Sequence, residues 1–324
     1  MRIKLLAVAV LITAVLGLSG CEGLPDGDVF EGEGYLVVNI ADRAVNDVDE
    51  INLTIDEVQA NRIGGSWEVI NDFSDEGGEK EVDLLDLRFE EVLLGRKTLP
   101  AGEYINIRLV VDAAEKSEEA EENTENEEGD NPDSEGKSRV VYEDGDEEEI
   151  FIPADREEGV EISYNFTLRD NKFTELTLDV NAAELLHDSE DEIVLSPEVI
   201  DVIDERETVN IKGSVLAEKE NEFNEYRALE DRDVKIKAYD GNESAASAVA
   251  LDEDEADKEA GDFLLRGLEA GTYDLKAFVV DEEADEASVK DTSDYQAEGV
   301  EDIEIDPDRE DDLLESIVLE VNDD

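Results

Sequence analysis

From Gly34 onward the chain consists of short runs in which apolar and polar residues alternate, and each run ends in acids or glycine. Residues 104–111 ("YINIRLVV"), 173–180 ("FTELTLDV") and 272–280 ("TYDLKAFVV") show the pattern most plainly. A repeat of two sends alternate side chains to opposite faces of a strand, whereas an amphipathic helix repeats every 3.6 residues. Residues 35–40, 51–55 and 160–166 read the same way. Residues 58–70 ("VQANRIGGSWEVI") read as a hairpin, with Gly64 and Gly65 free to take the positive φ of a tight turn. Helical patterning is confined to 89–94 and 182–187. The expected class is mainly β, with two antiparallel sandwich-like domains.

Charge decides what kind of surface these strands present. The chain carries 95 acidic and 27 basic residues, a formal net charge of −68. A charge of this size repels itself in dilute solution. At 1 M salt the Debye length falls to about 3 Å and the repulsion becomes local. The acids are spread along the chain and not gathered in a tail, which is the composition of a halophile protein, so full folding is expected only at high salt. Nucleic acid is excluded as a partner, because phosphate binding uses clustered Lys and Arg and no such cluster exists. Adhesion to an anionic lipid surface is disfavoured for the same reason.

The first twenty residues belong to a different class of segment. Arg2 and Lys4 precede an uncharged run, Leu5 to Leu18. As a helix this run is about 21 Å long, short of a hydrocarbon core of about 30 Å, so it reads as a signal-peptide core and not a permanent span. It leads into Leu18-Ser19-Gly20-Cys21, which holds the only cysteine of the chain. This motif resembles the lipobox of bacterial lipoproteins. The resemblance implies a signal peptide over 1–20 and lipidation of Cys21, with diacylglyceryl on the thiol and an acyl chain such as palmitate on the new amine. One acyl chain binds a membrane only marginally, whereas two or more hold firmly. Glu22, where the family's inner-membrane retention signal has aspartate, favours the outer membrane or cell surface. The absence of twin arginines points to Sec export. Residues 21–33 form a Gly- and acid-rich tether.

The remainder divides into a β-rich domain over 34–203 and a second over 204–324. Within the first, residues 112–138 hold twelve acids and two lysines and almost no apolar side chain. Such a segment cannot offset its own ordering entropy and reads as an inserted disordered loop. "NPDSEG" within it begins like a calcium loop, but Tyr142 stands where the closing glutamate is needed, so an EF-hand is rejected. In the second domain, Gly213-Ser214-Val215, Gly261-Asp262-Phe263, Leu268 and Gly271-Thr272-Tyr273 resemble the carboxypeptidase-regulatory-like, transthyretin-related sandwich module. In the first, residues 51–70, "VDLLDL" (82–87), "LPAGEYINIRLVV" (99–111), "FIPADREEGVEISYNF" (151–166) and "LSPEVIDVI" (195–203) resemble bacterial lipoproteins carrying domain of unknown function family 4382. Both resemblances imply a fold and neither implies an activity.

"LPAGEY" and "LEAGTY" are nearly one phrase used twice. In the second, Tyr273 shares a face with Leu275, Ala277 and Val279. In the first, strict alternation places Ile105, Ile107, Leu109 and Val111 on the apolar face and Tyr104 on the other, so the phases differ by one residue.

Catalytic chemistry is not legible. The single histidine, His187, lies on a short helix without an obvious partner. No Cys–His pair, GxSxG, HExxH or phosphate loop is present, and among 95 acids no pair stands out. Trp67 offers a platform for sugar or peptide but more simply packs over its sheet. Arg108, on the polar side of its strand, is placed either to pair with an acid across the sheet or to lie at the surface. The expectation is a lipid-anchored, non-catalytic envelope module of a halophilic bacterium, without catalytic residues or cofactor and with an unassigned metal site. Its partners are the membrane and an envelope protein, carbohydrate or divalent cation. A carbohydrate- or cation-binding surface protein is the alternative, and a carboxylate-dependent hydrolase the outside one.

Overall fold

The structure, a computed structural model, describes residues 32–43, 48–76, 78–115, 137–142, 144–153, 159–187, 192–218, 226–228, 234–251, 260–279, 295–298, 300–306 and 313–321. The signal segment, Cys21 and most of the tether and acidic insertion lie outside the described residues.

The class is mainly β, in sandwich-like pairs of sheets. The N-terminal strands are β1 (Glu33–Asp42), β2 (Glu50–Arg62), β3 (Trp67–Asp72), β4 (Lys80–Asp83), β5 (Val92–Pro100) and β6 (Gly102–Val111). There follow β7 (Ala114–Glu115), β8 (Arg139–Val141), β9 (Glu147–Ile152), β10 (Val160–Leu168), β11 (Phe173–Val180), α1 (Ala182–His187), β12 (Ile193–Val194) and β13 (Ile200–Asp204). The C-terminal strands are β14 (Thr208–Glu218), β15 (Tyr226–Ala228), β16 (Val234–Asp240), β17 (Glu243–Val249) and β18 (Asp262–Glu269). They end with β19 (Gly271–Val279), β20 (Tyr295–Glu298), β21 (Val300–Ile305) and β22 (Leu313–Val321).

The first sandwich packs a sheet ordered β13-β11-β1-β5 against one containing β10-β6-β2, with β3 also on β2. In the second, β22, β14 and β18 face β21-β19-β16-β17. The two arrangements correspond strand for strand. β1 lies parallel to β11 and antiparallel to β5, as β14 lies parallel to β22 and antiparallel to β18. Likewise β2 pairs with β3 and β6, and β6 with β10, as β16 pairs with β17 and β19, and β19 with β21. The chain therefore lays down one seven-strand plan twice. Each copy has its own core, around Leu36, Val38, Leu53, Leu109 and Leu178 in the first and Ile211, Ile236, Phe263 and Leu275 in the second.

"LPAGEY" and "LEAGTY" occupy the same place in this plan. Each carries the chain from one sheet to the other, from β5 to β6 and from β18 to β19. The Tyr104 hydroxyl donates to the Pro100 carbonyl (2.9 Å) and the Tyr273 hydroxyl to the Glu269 carbonyl (3.2 Å), each four residues back. Tyr104 is fully buried, not on the opposite face as strict alternation implies. The register explains the difference. Arg62 opposes Tyr104 and Asn61 opposes Asn106, so Ile105 is an extra residue against β2. A bulge of this kind reverses the facing of everything beyond it and brings Tyr104 onto the side of Ile107 and Leu109. The glycine two residues before each tyrosine leaves room for a neighbour. A Cβ on Gly271 would stand 3.1 Å from the Tyr273 ring, and one on Gly102 would stand 2.6 Å from Arg62 Nε.

The helix expected at 182–187 forms, but the one expected at 89–94 does not. A 3-10 turn at Leu85–Leu87 leads instead into β5, which pairs with β1 from Val92 onward. A bulge opposite Val38 and Asn39 disturbs the period of two there, so the apolar spacing mimics a helical one.

Burial pushes the Tyr104 phenol up to about 12, so its hydroxyl stays a donor throughout the ordinary pH range. Tyr104→Phe removes this bond and strands a carbonyl, and is expected to cost about 1–2 kcal/mol in denaturant unfolding. Tyr104→Ala also loses the stack on Phe166 (centroids 5.2 Å apart) and is expected to cost about 3–5 kcal/mol.

Candidate functional site

Among the described residues, a buried layer of charged side chains lies where the second sandwich meets the outer face of the β13-β11-β1-β5 sheet. Its centre is Arg266 on β18. Opposite Asn210, β18 carries two residues, Arg266 and Gly267, where one would complete the ladder. Gly267 has φ +73°, and a Cβ there would stand 3.0 Å from Ile203 on β13. The Asn210 side chain caps the bulge by accepting from the Gly267 amide (3.1 Å). A bulge re-aims the side chain it carries, and here it turns Arg266 out of its own core and into the first sandwich.

Arg266 is 6 % exposed. It donates to Glu91 Oε1 (3.0 Å) and to the carbonyls of Leu87 (3.1 Å), Arg88 (3.3 Å) and Glu90 (3.0 Å). A guanidinium suits this role because its donors are fixed in one plane and its charge is not lost on burial. Glu91 in turn accepts from Asn39 Nδ2 (3.3 Å) and Thr177 Oγ1 (3.1 Å). Asn39 also donates to Glu175 (3.1 Å). One cation from the second sandwich thus organises a polar layer on the first.

Two aspartates complete this layer. Asp179 is fully buried and accepts from Arg43 Nε (2.6 Å), while Arg43 Nη2 reaches Asp201 on β13 (2.5 Å). Burial raises the Asp179 carboxyl, and Arg43 and Arg266 hold the rise down. Asp42, 2 % exposed, is pushed well above the usual carboxylate range by burial and then by Asp179, which Arg88 offsets only in part. The linker residue Glu205 is raised to about 7, by burial first and then by Glu91. A hydrolase needs its proton-carrying acid in reach of a substrate, but Asp42 and Asp179 are sealed in. The raised carboxyls of Asp42 and Asp179 therefore lie out of a substrate's reach, and Glu205 is half-buried at the joint.

Trp67 and Arg108 meet on the outer face of the other sheet. Arg108 Cζ stands 3.9 Å from the centroid of the Trp67 ring, within cation–π range. Its guanidinium also reaches Glu161 on β10 (3.5 Å), across the sheet. One face of the indole is therefore taken, and Trp67 packs over its sheet instead of standing free as a platform. His187 closes α1. Among the described residues no group of three or more His, Cys, Asp or Glu converges so as to hold a metal ion. Among them, too, no helix is long and apolar enough to cross a membrane.

Domain of unknown function family DUF4382 matches residues 33–197, half of the chain and nearly all of the first sandwich. The chain belongs to the DUF4382 family. No curated protein matches it. Among solved structures it is similar to the minor pilin GBS52 of Streptococcus agalactiae, at 10 % identity over 90 % of this chain and 97 % of that one, with a TM-score of 0.19. It is also similar to a double mutant of the shaft pilin SpaA of Lactobacillus rhamnosus GG, at 11 % identity over 90 % and 98 %, with a TM-score of 0.20. The major pilin T3.2 of Streptococcus pyogenes gives 10 %, the same coverages and 0.16. At these TM-scores the likenesses carry no argument about what the chain does.

Sequence reasoning missed Arg266 and the joint. The signal was present in "DFLLRGLE" (262–269), where Phe263 and Leu265 keep one parity and Leu268 breaks it across Arg-Gly.

Glu205 gives the joint a pH dependence. Its folded-state pKa lies above its ordinary value, so the folded chain holds this proton more tightly than the unfolded chain. The resulting stability is present below the ordinary glutamate range and is lost as pH rises through about 7. After discounting for its partial exposure, Glu205→Gln is expected to remove about 1–3 kcal/mol of stability difference between pH 5 and 8. Denaturant unfolding of both proteins at the two pH values measures it.

Proposed function

We propose that this DUF4382 protein is a lipid-anchored, non-catalytic module of the cell envelope, in which two sandwiches of one plan act as a single rigid body held out from the membrane by the tether. The observation that carries the structural part is the buried Arg266 clamp, four bonds from one sandwich into the other. A flexible binder of two independent domains has no use for a buried cation at its junction, whereas a spacer or rigid scaffold does. The sealed position of Asp42 and Asp179 supports a structural role for the charges that look most enzyme-like.

The membrane part rests on the leader and on Leu18-Ser19-Gly20-Cys21. Diacylglyceryl at the Cys21 thiol and a third chain at its amine make a stable anchor, with the outer membrane or cell surface favoured by Glu22. The second sandwich is read as a carboxypeptidase-regulatory-like module, and its strand plan, parallel pairing of β14 with β22 included, supports that reading. The acidic composition supports a halophilic host.

Metabolic labelling with a palmitate analogue, followed by membrane fractionation, tests the anchor. The chain is expected to take up label and sediment with membranes, and Cys21→Ser to lose both properties. An unlabelled wild-type chain in the soluble fraction contradicts the proposal.

A further inference from the structure

Acids outnumber bases by 95 to 27 in this chain, yet one cavity reverses the balance. It has a volume of about 650 Å³ and opens where β3, β4 and β5 meet. Lys80 and Arg96 line it, and the one acid in its wall is Glu79. Glu79 is already matched, since Lys137 Nζ lies 2.5 Å from its Oε1 and 3.2 Å from Asp112. Among the described residues, no carboxylate stands within ion-pair distance of Lys80 or Arg96. Two cations and a single, already paired acid in one cavity wall reverse the balance of the chain as a whole and suit an anionic ligand.

The walls are built, not incidental. Asn71 Nδ2 donates to the Leu94 carbonyl (3.0 Å) and ties β3 to β5 at the base. A Cβ on Gly95 would stand 2.9 Å from the Asn71 Cβ and 3.0 Å from Ile70 Cγ2, so this close approach of the strands requires glycine. Phe73, buried in the first core, supplies an apolar wall, and Leu93 at the rim is 48 % exposed, one of few large apolar side chains so open.

We propose that this cavity binds a sugar-sized organic carboxylate of the uronate class. The volume falls in the range of small-molecule sites and far exceeds what a bare inorganic anion fills. Arg96 and Lys80 meet the carboxylate, a pairing in which a guanidinium can engage both oxygens. Leu93, exposed at the rim, meets the C–H face of the ring. The inference deepens the reading of the chain as an envelope binding module by naming a ligand class. It stands or falls separately from the anchor, because binding is read on the protein in solution.

The test is calorimetric titration of the full chain in detergent and molar potassium chloride, with glucuronate, glucose, acetate and phosphate as probes. Glucuronate is expected to bind saturably at one site, with glucose, acetate and phosphate at least ten-fold weaker. Arg96→Gln with Lys80→Gln is expected to weaken glucuronate at least ten-fold, while Lys276→Gln, at an exposed lysine of the second sandwich, leaves it unchanged. Should the double variant fail to fold, Arg96→Gln alone, an exposed position, is expected to weaken binding several-fold. Absence of glucuronate binding, equal binding of glucose, equal binding of acetate or phosphate, or full binding by the folded variants overturns the proposal.

Discussion

The arrangement of this protein depends on one buried guanidinium. Arg266 leaves its own sandwich through a two-residue bulge and bonds through both terminal guanidinium nitrogens to the loop that leads into β5 of the other. Burying a charge is costly unless it is paired and hydrogen-bonded. Once Arg266 is buried, Glu91 must stay beside it and the three carbonyls must hold their positions. Asn39, Thr177 and Glu175 then fall into place around Glu91. Removing one partner of such a pair typically costs about 3–5 kcal/mol, because the other is left buried and uncompensated. Linking the sandwiches in this way also suits a strongly acidic chain, since two bodies of like charge repel unless something specific joins them.

The second theme is repetition. The same seven-strand plan appears twice, and the same six-residue phrase crosses between sheets in both copies, each time with its tyrosine tied back to a carbonyl four residues earlier. The additions to the first copy show how the plan is elaborated. β7, β8, β9 and β12 extend one sheet, and β13 extends the other to become the strand that feeds the second sandwich. The added strand β13 touches the second sandwich near Gly267, while the Arg266 bonds themselves go to the turn that leads into β5.

Much of this was legible in the sequence because strands announce themselves by alternation and this chain has little else. The mainly β class and the short helix at 182–187 follow from period and turn residues alone. What failed, failed at bulges. Ile105 hid the true facing of Tyr104, and the irregularity in β5 near Leu93 read as a helix. A bulge adds one residue and leaves composition unchanged, so only a break in parity betrays it. Arg266 was missed for the same reason, because an arginine beside a glycine in a strand reads as an exposed position until its partners are seen. The cation-lined cavity was illegible for another reason. Lys80 and Arg96 are sixteen positions apart and come together only at the cleft beside the packing of β3 on β5. The proposed lipid anchor is the reverse case, since the motif that suggests it, Leu18-Ser19-Gly20-Cys21, is complete in the sequence and owes nothing to the fold.

The measurement that bears most directly on this account is scanning calorimetry of the full chain and of Arg266→Ala at molar salt. If the clamp makes the two sandwiches one cooperative body, the wild-type chain unfolds in a single transition and Arg266→Ala in two, the first at a lower temperature. An Arg266→Ala chain that unfolds in one transition at the wild-type temperature contradicts it.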